Sequence, residues 1–191
     1  MIGIIGLAEG DVRLVPHHPQ WQELFHIEKE RIQAHIGSHI LDIQHVGSTA
    51  ISGIVAKPIL DIAVAVENFE EAAGCIEPMA SLGYVYQGEK GIPRRRFFVK
   101  QQPTDTDILY STHHVHMNEL GCVDWENQIL FRDYLLRHPD VAQEYATLKF
   151  RLGEEYATDR KQYVSGKSTF ITDVLAYARA EKEAESPSMG M

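Results

Sequence analysis

The densest group of residues that could do chemistry lies between His45 and Asp61. A strand-like run is followed by the turn Gly47-Ser48-Thr49, and Lys57 precedes Asp61 by four residues. Glycine lets backbone N–H groups approach a phosphate closely, and a carboxylate near those phosphates is a ligand for Mg²⁺. The spacing therefore indicates a phosphate site at this turn, with Asp61 as the metal ligand. The alternative is an ordinary turn in which Ser48 caps a helix.

Asp61 belongs to a strongly β-like run, Ile59 to Val66. Alternation places Asp61 on one face with Ala63 and Ala65, opposite the large apolar side chains of the run. An unpaired buried charge is unfavourable, so Asp61 requires a partner or a wet cleft. Lys57 is a candidate for that partner. In the other interpretation, Lys57 neutralises charge on a phosphorylated substrate.

Two histidines, His114 and His116, are two residues apart in a predicted strand. Their side chains therefore share one face of that strand. With His45 they could bind a metal ion, because neutral imidazole is a common metal ligand. The alternatives are hydrogen bonds in the core, or direct contact with the substrate and a role in proton transfer.

Basic residues concentrate at Arg94, Arg95 and Arg96, with Lys90 and Lys100 nearby. Alternation places Arg94 and Arg96 on one face and Arg95 on the other. Because the forked guanidinium group matches phosphate oxygens, Arg95 and Arg96 are candidate phosphate ligands. The alternative is a solvated hairpin edge whose charges oppose aggregation.

Two other acidic positions could contribute a carboxylate besides Asp61. The motif Asp105-Thr106-Asp107 follows Pro103 in a polar segment, which favours a solvated loop, although Asp107 could supply a carboxylate. Glu119 is a second candidate, but alternation directs it away from His114.

The segment Gly166-Lys167-Ser168-Thr169 resembles the end of a phosphate-binding P-loop. The complete motif needs a glycine where this chain has Lys161, and the preceding segment is helical rather than a strand. We therefore predict no P-loop, while Lys167 remains a candidate phosphate ligand.

Hydrophobic spacing predicts a mixed α/β layer followed by about three helices. Trp125, Tyr134 and Tyr145 fall at helical spacings and are predicted to lie in the core. The predicted strands are 40–46, 59–66, 84–87, 95–100 and 113–118. The predicted helices include 19–36, 69–82 with a kink at Pro78, 125–137, and segments beyond 141.

Composition limits the class of protein. The chain has 191 residues, which predicts one domain, and its 18 Lys+Arg against 27 Asp+Glu give a net charge of −9. That balance argues against a nucleic-acid coat or a membrane-surface binder. The two cysteines exclude a disulfide framework, and we find no signal peptide and no apolar run of membrane-spanning length. We expect a cytoplasmic protein, and nothing in the sequence indicates an oligomeric state.

The combination of motifs resembles the GrpB family of the nucleotidyltransferase superfamily, from about Val12 to about Leu175. The matching positions are His45 to Ala50, Gly53, Lys57-Pro58, Asp61-Ile62, Gly83-Tyr84, Arg95 to Phe98, His114 to His116, Phe131 to Leu135, Tyr145, Leu148-Lys149, Lys167 and Phe170-Ile171. The resemblance implies a nucleotidyltransferase-like α/β core with a helical C-terminal part. We expect one domain at 12–178 and an N-terminal extension at 1–11. The mixture of Glu, Ser, Pro and Gly at the end of the chain predicts a disordered tail at 179–191.

The resemblance also implies an activity. In that superfamily a Gly-Ser turn holds nucleotide phosphates, and a strand with two carboxylates in Asp-x-Asp or Asp-x-Glu binds two Mg²⁺ ions. Here Gly47 and Ser48 match the turn and Asp61 the first carboxylate, but Ala63 occupies the second position. The implied protein is a Mg²⁺-dependent nucleotidyltransferase that uses a nucleoside triphosphate and an unidentified acceptor.

Two alternatives remain at this point. One is a catalytically silent module that binds a nucleotide or a coenzyme A-related ligand. Ala63 favours this reading, and some GrpB relatives are fused to dephospho-CoA kinase. The other is a metallohydrolase that uses His45, His114 and His116.

Overall fold

The computed structural model describes residues 4–103 and 108–185, which form a six-stranded mixed sheet with helices on both faces. The strands are β1 (Leu7–Ala8), β2 (Ile40–Val46), β3 (Leu60–Val66), β4 (Tyr84–Tyr86), β5 (Arg96–Pro103) and β6 (Leu109–Glu119). The α-helices are α1 (Gln20–Ile36), α2 (Ile76–Ser81), α3 (Val123–Arg137), α4 (Pro139–Glu155), α5 (Arg160–Ser165) and α6 (Ser168–Glu185). This architecture confirms the predicted mixed α/β layer and helical C-terminal part.

The strand order is β2-β3-β6-β5-β4, and β1 pairs with the start of β6. The β3–β6 pair is parallel, whereas β2–β3, β4–β5 and β5–β6 are antiparallel. In the parallel pair, Asp61 lies beside His114 and Ala63 beside His116. Because side chains at paired positions point to the same face, the sheet brings the predicted carboxylate and both histidines together.

One face of the sheet carries the main hydrophobic core. The apolar residues of β3 pack there against α1, whose Trp21, Phe25 and Ile32 are buried, and against Met79 of α2. Each such side chain contributes about 2 kcal/mol when removed from water. The predicted alternation of the 59–66 run is therefore correct, and burial of its large side chains leaves Asp61 on the other face.

The opposite face of β3 is covered by α3. Ala63 and Ala65 form a small buried cluster there with Val46 and Trp125. Small side chains on the strand let the helix approach closely. In addition, Arg132 of α3 donates a hydrogen bond of 2.8 Å to the carbonyl oxygen of His45, which joins this helix to the end of β2.

The C-terminal helices have a core of their own, centred on Ile51 and Ile54. These two residues of the β2–β3 connection pack with Tyr145 of α4 and Val174 of α6. The β2–β3 connection, which carries the Gly-Ser turn, is therefore packed between the sheet and the C-terminal helices.

The chain departs from the predicted elements in a few places. Residues 71–75 form a 3-10 helix, and α2 begins only at Ile76. Pro78 therefore falls in the first turn, where its missing N–H breaks no bond and it produces no kink in the middle of a longer helix. The short strand β1, within the predicted N-terminal extension, was not expected.

The described part of the predicted tail is helical. Helix α6 continues to Glu185, beyond residue 179. Ala178 is fully buried, and Glu181 forms ion pairs with Arg137 and His138. Within residues 4–103 and 108–185, no helix has the length and apolar character needed to cross a membrane.

Candidate functional site

The turn after β2 brings the backbone against the carboxylate of Asp61. Gly47 has a φ of 68°, and a Cβ atom there would lie 2.5 Å from Asp61 Oδ2. A side chain at this position is therefore excluded both by the backbone conformation and by the close approach. The turn continues as a short 3-10 helix, Ser48–Ala50, without a side-chain cap. The alternative role of Ser48 as a helix cap is wrong, and its hydroxyl shares a hydrogen bond with the Tyr145 phenol.

Asp61 is held by the two histidines of β6. His114 Nδ1 lies 3.2 Å and His116 Nε2 3.5 Å from Asp61 Oδ1. Burial would raise the pKa of Asp61, but the hydrogen bonds and charge of the two imidazoles lower it well below its usual range. Burial also lowers the pKa of His114, against the opposing effect of Asp61. Asp61 is thus an oriented carboxylate, with 31% of its side chain exposed.

Three lysines lie against two tyrosine rings, and the charge of Asp61 acts on two of them, Lys57 and Lys167. Lys57 Nζ and Lys167 Nζ lie 5.7 Å and 4.5 Å from the centre of the Tyr163 ring. Lys149 Nζ lies 4.6 Å from the centre of the Tyr145 ring and donates to the Val55 carbonyl oxygen. We call Lys57, Lys149 and Lys167 the lysine cluster.

Burial and mutual repulsion make the charged forms of the lysine cluster unfavourable. Burial lowers the pKa of Lys57 to about 8, with further lowering by Arg160 and Lys167. Burial and repulsion from the other two members lower the pKa of Lys149 to about 7. Burial likewise lowers the pKa of Lys167 to about 8. Asp61 opposes the shift at Lys57 and Lys167, but its single charge does not balance the cluster.

Lys149 was not among the predicted site residues. It is fully buried in α4, four residues after Tyr145 and three before Leu152. These positions form the apolar stripe of the helix, where an unpaired lysine is out of place. That misplaced charge is the signal that could have identified it. Tyr145 was predicted as core, and it does lie in the core, with its hydroxyl directed to Ser48.

The structure separates Arg95 from Arg96, as alternation predicts. Arg95 lies on the Asp61 face, with Nη1 3.4 Å from His116 Nδ1, and it donates to the Glu89 and Lys90 carbonyl oxygens. Arg96 lies on the opposite face. It donates to the Phe69 carbonyl oxygen and stacks on the Phe69 ring at 4.3 Å. Arg96 therefore does not reach the Asp61 site.

His45 and Thr49 have a structural role, and their side chains do not take part in the Asp61 site. His45 is on the α1 face of the sheet, stacked 4.8 Å from the Phe25 ring, with Nε2 3.0 Å from Thr49 Oγ1. Burial lowers the pKa of His45 to about 4, so the ring is neutral at pH 7. It faces away from His114 and His116, so the three histidines do not converge on one metal ion.

The acidic and histidine side chains that were predicted as metal ligands are not arranged to hold two metal ions. Glu119 receives hydrogen bonds from Arg94 and the Phe69 backbone, on the face opposite Asp61. Asp107 lies outside the described residues. Within the described ranges, no group of three His, Cys, Asp or Glu side chains is placed to hold a metal ion. A single carboxylate beside a lysine cluster is a poor site for two divalent cations, because the ammonium groups repel them.

A groove of about 780 Å³ lies between α3 and α6. Trp125, Leu130 and Arg179 are among its lining residues, and acidic and basic side chains are mixed along it. It shares no residue with the lysine cluster. Its lining mixes charges of both signs, whereas the members of the lysine cluster all carry the same sign.

Fold and site together define a mixed α/β protein with a Gly-Ser turn, a histidine-held carboxylate, and a group of lysines in which Lys149 is buried and Lys57 and Lys167 are half-buried. Residues 11–177 match the protein family described as "GrpB protein". The chain belongs to the GrpB family.

Relatives and a solved structure agree with this assignment. The chain is 38% identical over 173 residues to the glutamate-rich protein GrpB of Alkalihalophilus pseudofirmus, covering 90% of this chain and 98% of that protein. It is 37% identical over 179 residues to UPF0157 protein YqkA of Bacillus subtilis, covering 94% of this chain but only 50% of YqkA. The crystal structure of conserved protein GrpB from Enterococcus faecalis superimposes with a TM-score of 0.79 at 29% identity, covering 89% of this chain and 99% of that one.

A protein of Mycobacterium tuberculosis named dephospho-CoA kinase also contains a similar region. It is 28% identical over 202 residues, covering 94% of this chain and 48% of that protein. The chain thus spans about half the length of some of its relatives.

Proposed function

We propose that the Asp61 site binds the phosphate groups of a nucleotide or a related phosphorylated small molecule, without requiring a divalent metal ion. The observation that carries the proposal is the lysine cluster, in which Lys57 and Lys167 lie on the Tyr163 ring and Lys149 lies on the Tyr145 ring. Burial and repulsion from neighbouring cations lower the pKa values of all three. Burying like charges together is unfavourable unless an anion offsets them. A phosphorylated ligand supplies that anion.

Each part of the site has a defined task in this proposal. The backbone of Gly47 and Ser48 offers N–H donors to phosphate oxygens. Lys57, Lys149 and Lys167 neutralise the ligand, in the role that Mg²⁺ takes in many other phosphate sites. Asp61, fixed by its histidines, holds the turn and the nearest ammonium groups in position.

The test is isothermal titration calorimetry of ATP, GTP, CTP, UTP and dephospho-CoA, each with EDTA and again with Mg²⁺. At least one ligand is expected to bind in EDTA, and Lys167→Met should weaken it about tenfold or more, which is 1.4 kcal/mol. Lys161→Met, a change of an exposed lysine in α5, is the matched control and should bind as the wild type does. Absence of binding by every ligand under both conditions would contradict the proposal.

Mg²⁺-dependent nucleotidyl transfer is the second candidate function. The observation in its favour is that Asp61 follows the Gly47-Ser48 turn and faces it, as the first carboxylate of such an enzyme would. A single Asp with help from water and ligand phosphates could hold one Mg²⁺, with Lys57, Arg95 and Lys167 against the phosphates and His114 or His116 near the acceptor.

Nucleotidyl transfer would be detected as pyrophosphate release from a nucleoside triphosphate. Release that depends on Mg²⁺ and is lost in Asp61→Asn would favour the transferase over the binding module. Ligand binding without pyrophosphate release, tested with a broad set of acceptors, would favour the binding module.

A further inference from the structure

The hydrogen bonds around Asp61 determine which ring nitrogen carries the proton in each of its two histidines. The pKa of Asp61 lies well below its usual range, so the carboxylate is ionised and only accepts hydrogen bonds. His114 therefore donates to Asp61 Oδ1 from Nδ1 at 3.2 Å, and His116 donates from Nε2 at 3.5 Å. Because a guanidinium group only donates, His116 Nδ1 accepts from Arg95 Nη1 at 3.4 Å. Both ring nitrogens of His116 are thus occupied.

His114, in contrast, has one ring nitrogen without a partner. Within residues 4–103 and 108–185, the hydrogen bond of its ring is the one from Nδ1 to Asp61, and the buried side-chain atoms that lack a partner are Arg96 Nε and Asn118 Oδ1. His114 Nε2 is therefore in contact with solvent, although only 9% of the side chain is exposed. Burial lowers the pKa of His114 below its ordinary value, so the ring is neutral at pH 7 and Nε2 carries a free lone pair.

The Asp61 carboxylate links the His114 ring to the Gly47-Ser48 turn. Oδ1 contacts His114, whereas Oδ2 lies against the Gly47 backbone, where a Cβ atom would be only 2.5 Å away. The Phe97 ring packs against His114 at 5.3 Å and against His116 at 5.1 Å, which restricts rotation of both imidazoles. A carboxylate thus holds His114 through Nδ1 and leaves the lone pair of Nε2 available, which suits nucleophilic attack.

Two other histidines provide comparisons within the same molecule. His35 Nδ1 donates to the Arg31 carbonyl oxygen at 2.9 Å on the exposed face of α1, so its ring is held without a carboxylate. His138 Nε2 lies 3.0 Å from Glu181 Oε2, so its ring is held by a carboxylate after the end of α3. Neither ring contacts Asp61. These two residues are therefore internal controls for the reactivity of His114.

We infer that His114 Nε2 is a nucleophile that takes up a phosphoryl group from a donor with a good leaving group, namely a phosphoramidate or an acyl phosphate. This inference rests on the proposed function, because the Asp61 site must hold the donor. The lone pair of Nε2 forms the new bond to phosphorus, while the bond from phosphorus to the leaving group breaks and its electron pair departs with that group. The ring becomes positively charged, and its Nδ1–H keeps the hydrogen bond to ionised Asp61, which offsets that charge.

The experiment treats the full chain at pH 7 in EDTA with phosphoramidate, a small donor that releases ammonia. Peptide mass spectrometry, with alkaline handling that preserves phosphohistidine, measures the initial rate of phosphorylation at each histidine. We expect His114 to react at least about tenfold faster than His35 and His138, because only His114 has both a carboxylate partner and the phosphate site beside it. A hydrogen bond to a charged partner accounts for a factor of about that size.

Variants identify the reactive residue among the neighbouring histidines of β6. The label should be lost in His114→Gln, and it should be present in His116→Gln and in His113→Gln, whose ring packs near Tyr84 on the α1 face. Asp61→Asn should lower the rate at His114 by about tenfold, because an amide does not offset the charge of the ring. The midpoint of thermal unfolding shows whether each variant is folded. Fragmentation of the labelled wild-type peptide locates the phosphoryl group even where a variant fails to fold.

The outcomes separate the two proposals. Equal rates at His114, His35 and His138 would overturn the nucleophile and leave phosphate binding, as measured by calorimetry, in place. Labelling of His116 instead of His114, or a rate at His114 that is unchanged in Asp61→Asn, would overturn it as well. Absence of calorimetric binding by every phosphorylated ligand would overturn the proposed function and the inference together.

Discussion

Gly47 illustrates how much of the site depends on the absence of one side chain. Its backbone has a positive φ, and its Cα approaches the Asp61 carboxylate so closely that a Cβ would lie 2.5 Å from Oδ2. Any larger residue must displace the carboxylate from His114 and His116, or move the turn. The glycine is thus part of the carboxylate's positioning, although it carries no functional group.

We expect Gly47→Ala to lower the free energy of unfolding by about 3 kcal/mol, because backbone strain and a steric clash add together. The matched control is Gly53→Ala, where φ is +80° but nothing lies within 4 Å of the new Cβ. That variant should lose only about 1 kcal/mol. Urea denaturation followed by circular dichroism measures both. Equal losses in the two variants would show that contact with Asp61 contributes nothing.

At the scale of elements, helix α1 is fixed to the sheet by a buried ion pair as well as by apolar contacts. Glu28 Oε1 accepts hydrogen bonds of 2.7 Å from Lys100 of β5 and 2.9 Å from the Tyr84 hydroxyl. Burial would raise the pKa of Glu28, but the hydrogen bond and charge of Lys100 lower it overall. The sequence places Lys100 in a basic stretch and gives no indication of this partner, 72 residues away.

We expect Lys100→Met to lower the free energy of unfolding by about 3–5 kcal/mol, because it leaves the buried Glu28 carboxylate without its counter-charge. The double variant Glu28→Gln/Lys100→Met should be more stable than this single variant, since no buried charge remains. Urea unfolding of the two single variants and the double variant at pH 7 measures the coupling. Additive losses would mean that the two side chains do not interact in solution. The pair lies on the α1 face, so ligand binding at the Asp61 site should be unaffected in the folded variants.

At the scale of elements, prediction from the sequence was correct where periodicity alone determines the face of a strand on which a side chain lies. Alternation correctly placed Asp61 opposite the apolar side chains of β3, and it placed His114 and His116 together. It also separated Arg95 from Arg96, but it could not decide which of them faces the site, because that depends on how β5 pairs with β6. Lys149 was missed although a lysine between Tyr145 and Leu152 in the apolar stripe of α4 is a signal in the sequence. Helical spacing does not show which groups that lysine contacts, because they depend on the surface that α4 covers.

At the scale of the whole molecule, the lysine cluster couples stability to pH. In the unfolded chain these lysines keep their protons up to about pH 10.4. In the folded protein their pKa values are about 7 to 8. Between those limits the unfolded state binds more protons, so stability rises with pH. The charged lysines destabilise the folded state fully below pH 7, and this destabilisation decreases as the pH rises through 8.

We therefore expect the free energy of unfolding of the ligand-free protein to increase from pH 7 to pH 9, by at most about 1.4 kcal/mol per pH unit for each titrating lysine. Lys149→Met should be less dependent on pH over this interval, and Lys161→Met should follow the wild type. Chemical denaturation at pH 7, 8 and 9 tests this. Parallel curves for Lys149→Met and wild type would mean that Lys149 titrates normally in the folded state.

The parallel pairing of β3 with β6 determines when the site comes into existence. Asp61 and His114 are separated by 53 residues of chain, and the intervening segment contains α2, β4 and β5. Contacts between residues so distant in sequence form late and slowly, because the loop between them must first be closed. The contact of Asp61 with its histidines therefore has no partial precursor in the early, local structure of the chain. Its appearance during refolding would mark the pairing of β3 with β6, and on a nascent chain it would form only after β6 has left the ribosome.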